Sequence, residues 1–128
     1  MNPDVTTFFG TYTPRLDEKG RLTLPARFRA RLERGIVLTR GQENCIYGWT
    51  PEDFGEFATR VRQLPFTHAG SRNFVRMFFS GMSEEMPDKQ GRVPVPQVLR
   101  TWAGLDRDCT VVGAMDRIEI WDSSRWDE

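Results

Sequence analysis

The sequence predicts an α+β, β-rich fold in which one small unit is used twice. Two observations carry that prediction. First, Leu16–Arg29 returns as Pro87–Arg100, 71 residues on: Asp, Gly, Arg, Pro and Arg are identical, and Leu22/Val93, Leu24/Val95 and Phe28/Leu99 are apolar in both. The match extends upstream, where Phe8-Phe9-Gly10 meets Phe79-Ser80-Gly81. Downstream, at an offset of 72, Gly41 meets Gly113, Asn44 meets Asp116, Ile46 meets Ile118, Trp49 meets Trp121 and Phe54 meets Trp126. So long a match in register marks a duplicated architecture. Second, within each copy the polar–apolar pattern has the period of two typical of half-buried strands, interrupted by turn chemistry and short stretches of helical spacing.

Each copy begins with an extended segment, Thr11–Leu16 or Met82–Pro87. Asp-x-x-Gly then makes a tight turn, in which Gly20 and Gly91 supply the positive φ that an L side chain resists. Arg21-Leu22-Thr23-Leu24 and Arg92-Val93-Pro94-Val95 alternate as strands with one buried face do. Pro94, with no N–H to give a ladder, points to an edge or a bulge. Pro25 and Pro96 open short helices at the first helical position, where a missing N–H costs nothing. These helices run to about Glu33 and Trp102, stopped by Gly35 and Gly104. Two further strands follow in each copy, Ile36–Thr39 with Cys45–Trp49 and Thr110–Val112 with Arg117–Trp121, joined by Gly41–Asn44 and Gly113–Asp116. Between the copies, Thr50-Pro51-Glu52-Asp53 is a helix start with a Thr N-cap, Pro at N1 and acids in the first turn. Phe54, Phe57, Val61 and Leu64 then share one face, and a second helix covers Ser71–Phe79 with Phe74, Met77 and Phe78 apolar. These aromatic stripes read as core rather than as a cofactor site. About 45 residues and four short strands per copy bury too little surface to be stable alone. The copies are therefore expected to pack on each other as an intrachain pseudo-dimer.

Composition narrows the function classes. Of the 128 residues 28% are charged, and no apolar run reaches the roughly 18–20 residues that span a bilayer. Met1–Gly10 lacks the basic and apolar regions of a signal peptide. Cys45 and Cys109, 64 residues apart, read as buried thiols. With the single histidine, His68 in the loop-like Thr67–Gly70 stretch, they make no familiar zinc pattern. No phosphate loop or nucleophile elbow is present, and Glu84 and Glu85 are adjacent on a strand and point to opposite faces. No enzymatic activity, metal or cofactor is expected.

The charges sum to zero, 18 basic against 18 acidic, whereas nucleic-acid-binding domains are usually basic. The sum hides the distribution. Residues 15–40 hold eight basic and three acidic groups, a net +5; residues 57–80 hold Arg60, Arg62, Arg72 and Arg76 and no acid; residues 93–128 hold four basic and seven acidic groups, a net −3. On this count the first copy is the better candidate for phosphate contact.

The doubled Asp-x-x-x-Arg turn, Asp17–Arg21 and Asp88–Arg92, is similar to that of the AbrB/SpoVT swapped-hairpin superfamily. The longer strings Phe9-Gly10-x-Tyr12, Leu16-Asp17-x-Lys19-Gly20-Arg21-Leu22-x-Leu24-Pro25, Phe78-Phe79-Ser80-Gly81, Asp88–Arg92 and Arg117–Trp121 resemble the bacterial MraZ family over nearly the whole chain. The resemblance implies tandem duplicated AbrB/SpoVT-like modules, here residues 7–54 and 79–128 with a helical linker at 55–78, in a swapped-hairpin, double-psi-like barrel. It implies that these pseudo-dimers assemble into homo-oligomeric rings. It further implies a DNA-binding transcriptional repressor of the promoter at the head of the division and cell-wall gene cluster, its own gene included. Such a protein recognises short G-rich direct repeats in double-stranded DNA and is a nucleoid-associated protein of the cytoplasm. Two departures stand out: Gln90 occupies the site of Lys19, and Lys89 that of Glu18. The chain also ends at Glu128, where relatives often continue.

Arg15, Lys19 and Arg21 are then the first candidate DNA contacts, on or beside one hairpin tip. A two-stranded ribbon fits the major groove, and arginine bridges O6 and N7 of guanine with two donors. Arg21 has a competing role as a clamp on Asp17, and five guanidinium donors allow both; for Lys19 the competing role is a plain solvated charge. Arg27 and Arg29 on the short helix, and Lys89 and Arg92 at the second tip, are secondary candidates, with inter-module contact as the alternative. Asp17, Gly20, Asp88 and Gly91 form the structural turn motif. No small-molecule or membrane partner is expected. The competing class is an antitoxin-like or structural protein-interaction module of the same superfamily. Such antitoxins usually carry one module and a disordered tail, whereas this chain carries two modules.

Overall fold

Strands and helices follow one another in the order the repeat predicts. The computed structural model describes residues 7–128, so the first six residues of the Met1–Gly10 stretch lie outside the described residues. The first copy contains β1 (Thr11–Tyr12), β2 (Arg21–Thr23), α1 (Ala26–Leu32), β3 (Ile36–Arg40) and β4 (Ile46–Trp49). Helices α2 (Pro51–Val61) and α3 (Ala69–Ser80) connect it to the second, which contains β5 (Ser83–Glu85), β6 (Arg92–Pro94), α4 (Gln97–Ala103), β7 (Cys109–Gly113), β8 (Ile118–Asp122) and α5 (Ser123–Trp126).

The strands form a six-stranded antiparallel sheet in the order β1-β7-β8-β4-β3-β5 and a two-stranded ribbon, β2-β6. Exchanging the copies (β1 for β5, β2 for β6, β3 for β7, β4 for β8) reads the six-stranded order backwards, so the sheet has pseudo-two-fold symmetry. Among the strands of the described residues, β3–β4 and β7–β8 pair within a copy, whereas β1–β7, β2–β6, β3–β5 and β4–β8 pair across the copies. That crossing is the swapped arrangement, and it makes each copy complete the other's sheet. The pseudo-axis passes through the ribbon at the Leu22↔Val93 pair. On either side, the Leu24 N–H donates to Gly91 C=O at 2.8 Å and the Val95 N–H to Gly20 C=O at 2.9 Å.

One core is shared by both copies. Leu22, Leu24, Val93 and Val95 point inward from the ribbon and meet Phe28 and Leu32 of α1, Leu99 and Ala103 of α4, and Ile36, Leu38, Ile46, Val111, Ile118 and Ile120 of the sheet. The other sheet face carries Val37, Tyr47 and Trp49, which α2 and α3 cover with Phe54, Phe57, Phe74, Met77 and Phe78. The aromatic stripes are thus core, as their spacing predicts. Trp102 of α4 ties the copies again: its Nε1–H donates to the carbonyls of Gly41 and Cys45, at 3.1 Å each. Both cysteines are buried free thiols. No helix among the described residues is long and apolar enough to cross a membrane.

The helix starts divide into two kinds. Thr50 caps α2 as predicted, its Oγ1 accepting from the Asp53 N–H at 3.0 Å. Pro25 and Pro96, predicted at the first helical position, occupy the N-cap instead, with ψ of 138° and 150°. The reason lies in the opposite copy: Leu24 and Val95 still donate to the ribbon, so the chain stays extended through the proline and turns helical one residue later.

Candidate nucleic-acid interface

Each Asp-x-x-x-Arg turn is closed by its own aspartate. Asp17 Oδ1 accepts from the backbone N–H groups of Lys19 and Arg21, at 2.9 Å each, and its Oδ2 accepts from Arg21 Nε at 2.7 Å. The second turn repeats this: Asp88 accepts from the N–H groups of Gln90 and Arg92 at 2.9 Å and from Arg92 Nε at 2.8 Å. This is an Asx-type turn with an added ion pair. The Arg21 backbone N–H, more than the guanidinium and the Lys19 N–H, holds the Asp17 carboxyl below its ordinary value against a smaller opposing effect of desolvation. Arg92 and Gln90 do the same for Asp88.

The glycines that end these turns sit at φ +75° and +78°. Over Gly20 lies Arg100, and over Gly91 lies Arg29, each from the opposite copy, so a Cβ at either glycine would displace that arginine side chain. Arg29 also donates from Nε to the Leu24 carbonyl at 3.0 Å. Its side chain thus reaches from the first copy over the turn of the second.

The ribbon aligns Arg21 with Pro94 and Thr23 with Arg92. With Leu22 and Val93 buried, those four residues form the outward face. Arg21 and Arg92 are diagonal neighbours on it, about 7–8 Å apart by strand geometry. Residues that the sequence assigns to two separate tips are thus brought onto one face, with Lys19 and Lys89 at its opposite ends. Among the described residues, neither Arg21 nor Arg92 uses Nη1 or Nη2 in a hydrogen bond.

Arg15 joins this face from the extended segment before the turn. Its Nε meets Asp108 Oδ1 at 2.9 Å, with both side chains mostly exposed. Arg15, Lys19 and Arg21 line an open groove of about 470 Å³ together with Leu16, Asp17, Glu18 and Arg107. Arg27 is exposed, its guanidinium 4.8 Å from the Phe9 ring centroid. Arg107 is the residue that sequence reasoning missed. It belongs to the copy with net negative charge, and the crossing of the two copies, where the Leu16 N–H donates to the Arg107 carbonyl at 2.9 Å, places it at the first tip.

Residues 7–77 and 78–128 each match the family described as "MraZ protein, putative antitoxin-like". The chain belongs to the MraZ family. Similar relatives are named "Transcriptional regulator MraZ". That of Micrococcus luteus is 57% identical over 119 residues, covering 93% of this chain and 83% of the relative. That of Clavibacter michiganensis subsp. michiganensis is 54% identical over 121 residues, covering 94% and 85%. That of Kineococcus radiotolerans is 54% identical over 120 residues, covering 94% and 84%. None of these names denotes an enzyme. Each of the two regions matched to MraZ contributes one Asp-x-x-x-Arg turn, and the ribbon takes one strand from each.

Proposed function

We propose that the chain is a DNA-binding transcriptional regulator that reads guanines with the outward face of the β2–β6 ribbon. The observation that carries this reading is the pair of arginines, Arg21 and Arg92, on one face and already oriented. Each is held at Nε by its own aspartate, which leaves Nη1 and Nη2 for the O6 and N7 of a guanine. Fixing the side chain beforehand reduces the entropy lost on binding. Lys19 and Lys89 at the ends of the ribbon, with Arg15 beside the first, supply backbone contacts that position the face. Arg29 acts between the modules, while Arg27 stays a secondary contact.

The operator in this reading is a set of short G-rich direct repeats in the promoter of the division and cell-wall gene cluster, the chain's own gene included, and the protein acts there as a repressor on the nucleoid. The modules are residues 7–54 and 79–128, joined through 55–78. Several chains assembled as a ring present identical ribbons to successive repeats, which raises avidity without new contacts. Fluorescence anisotropy on a duplex of G-rich direct repeats and on a scrambled duplex tests the proposal. Arg21→Ala is expected to remove about 1–3 kcal/mol of discrimination between them. Full affinity and specificity in that variant would overturn the role of Arg21.

A second reading rests on the words "antitoxin-like" in the family description: a module that binds a protein. A stoichiometric protein partner together with no DNA binding at any salt concentration would favour it.

A further inference from the structure

We infer that the groove beside the first turn is a seat for a DNA phosphate, completed by Arg107 from the second copy, and that it gives each chain a fixed polarity on DNA. The inference rests on the DNA-binding reading above and adds to it a residue and a direction. The backbone around Arg107 is anchored: its carbonyl accepts from the Leu16 N–H and that of Asp108 from the Ser123 N–H, each at 2.9 Å. Its side chain is exposed and, among the described residues, makes no hydrogen bond or ion pair. Lys19, across the groove, has none either. Of the two acids lining the groove, Asp17 already spends its carboxylate on the turn, and the exposed Glu18 is outnumbered by Arg15, Lys19, Arg21 and Arg107. The result is a concave, basic surface next to the guanine-reading arginine, which suits a phosphate oxygen.

The other end of the ribbon is built differently. Met86, 71 residues after Arg15, is 62% exposed. Beside it lie Arg34, Glu84 and Glu85; Arg34 is 3.1 Å from Glu52, both side chains being largely exposed, and Lys89 is the exposed cation of the second turn. The backbone is pseudo-symmetric, but the charge is not. A ribbon with the same charge at both ends would read a half-site in either direction; here each end has its lysine, Lys19 or Lys89, but the additional contact from the Arg107 groove forms only beside the first turn.

The test is the salt dependence of binding, by anisotropy, for the full chain and three exposed-site variants on the G-rich direct-repeat duplex and the scrambled duplex, with thermal melts confirming that each variant is folded. Arg107→Ala should lower the slope of log K against log salt by about 0.9 per bound chain. It should weaken both duplexes by the same factor and leave their ratio unchanged. Arg34→Ala should leave the slope as it is, and Met86→Arg should raise it by about the same amount. Exchanging direct for inverted repeats should weaken wild type more than Met86→Arg. An unchanged slope in Arg107→Ala, an equal loss in Arg34→Ala, or indifference of wild type to repeat orientation would overturn the inference while leaving DNA binding intact. Wild type that binds neither duplex at any salt would overturn both.

Discussion

Gly91→Ala isolates the contact that joins one copy's turn to the other copy's helix. Gly91 has φ +78°, a conformation that costs an L residue about 1–2 kcal/mol. An alanine Cβ would also lie 2.5 Å from Arg29 Nε and 2.8 Å from its Cδ, so Arg29 must swing away. That move breaks its 3.0 Å hydrogen bond to the Leu24 carbonyl, worth about 0.5–1.5 kcal/mol. Together these give a loss of roughly 1.5–3.5 kcal/mol. Gly104→Ala is the control: φ is +61° and no heavy atom lies within 4 Å of the new Cβ, so only the conformational cost of about 1–2 kcal/mol remains. Urea titration reads both, and the melting temperature should fall by about 3–5 °C per kcal/mol at this chain length. In an Arg29→Ala background the cost of Gly91→Ala should drop to that of Gly104→Ala. Equal losses for the two glycines in the native background would refute the cross-copy contact.

Three further outcomes follow from the fold. Leu22→Ala, at a site 1% exposed on the pseudo-axis, should cost about 2–5 kcal/mol; calorimetry should still show one transition, because neither copy keeps a core without the ribbon. Asp17 and Asp88 have carboxyls held below the ordinary value of 3.8 in the folded chain. Their stabilisation is therefore fully present above that value and lost as pH falls through the lowered ones. Amide exchange at Lys19 and Arg21 should be unaffected by this linkage from pH 7 down to about pH 5 and lose protection only in stronger acid; loss of protection above pH 5 would contradict the clamp. Burial pushes the thiols of Cys45 and Cys109 up to about 12 and about 11, so a disulfide reagent at pH 8 should label neither in the native chain and both after unfolding.

Much of this architecture is legible in the sequence because it depends on local chemistry. Asp-x-x-Gly followed by alternation defines each turn and ribbon strand, and Thr50-Pro51 defines the start of α2. The Phe54, Phe57 and Val61 spacing identifies the face that α2 buries. Charge counted along the chain proved a poorer guide. It separates a basic first copy from an acidic second one, whereas β1 pairs with β7 and β2 with β6, so the surfaces mix residues from both. Arg107 reaches the first turn and Arg92 lies beside Arg21 for that reason, and no periodicity within one copy reports it. The prolines before α1 and α4 show the same limit on a smaller scale, since a ribbon partner in the other copy, Gly91 for Leu24 and Gly20 for Val95, keeps each of them extended.

We propose that the ribbon face reads DNA sequence through Arg21 and Arg92 together. The most direct test is anisotropy with the Arg21→Ala/Arg92→Ala double variant on G-rich direct repeats and on the scrambled duplex, at one salt concentration. The account predicts that affinity for the repeats falls to the level of the scrambled duplex. A double variant that keeps the wild-type preference for the repeats would contradict it.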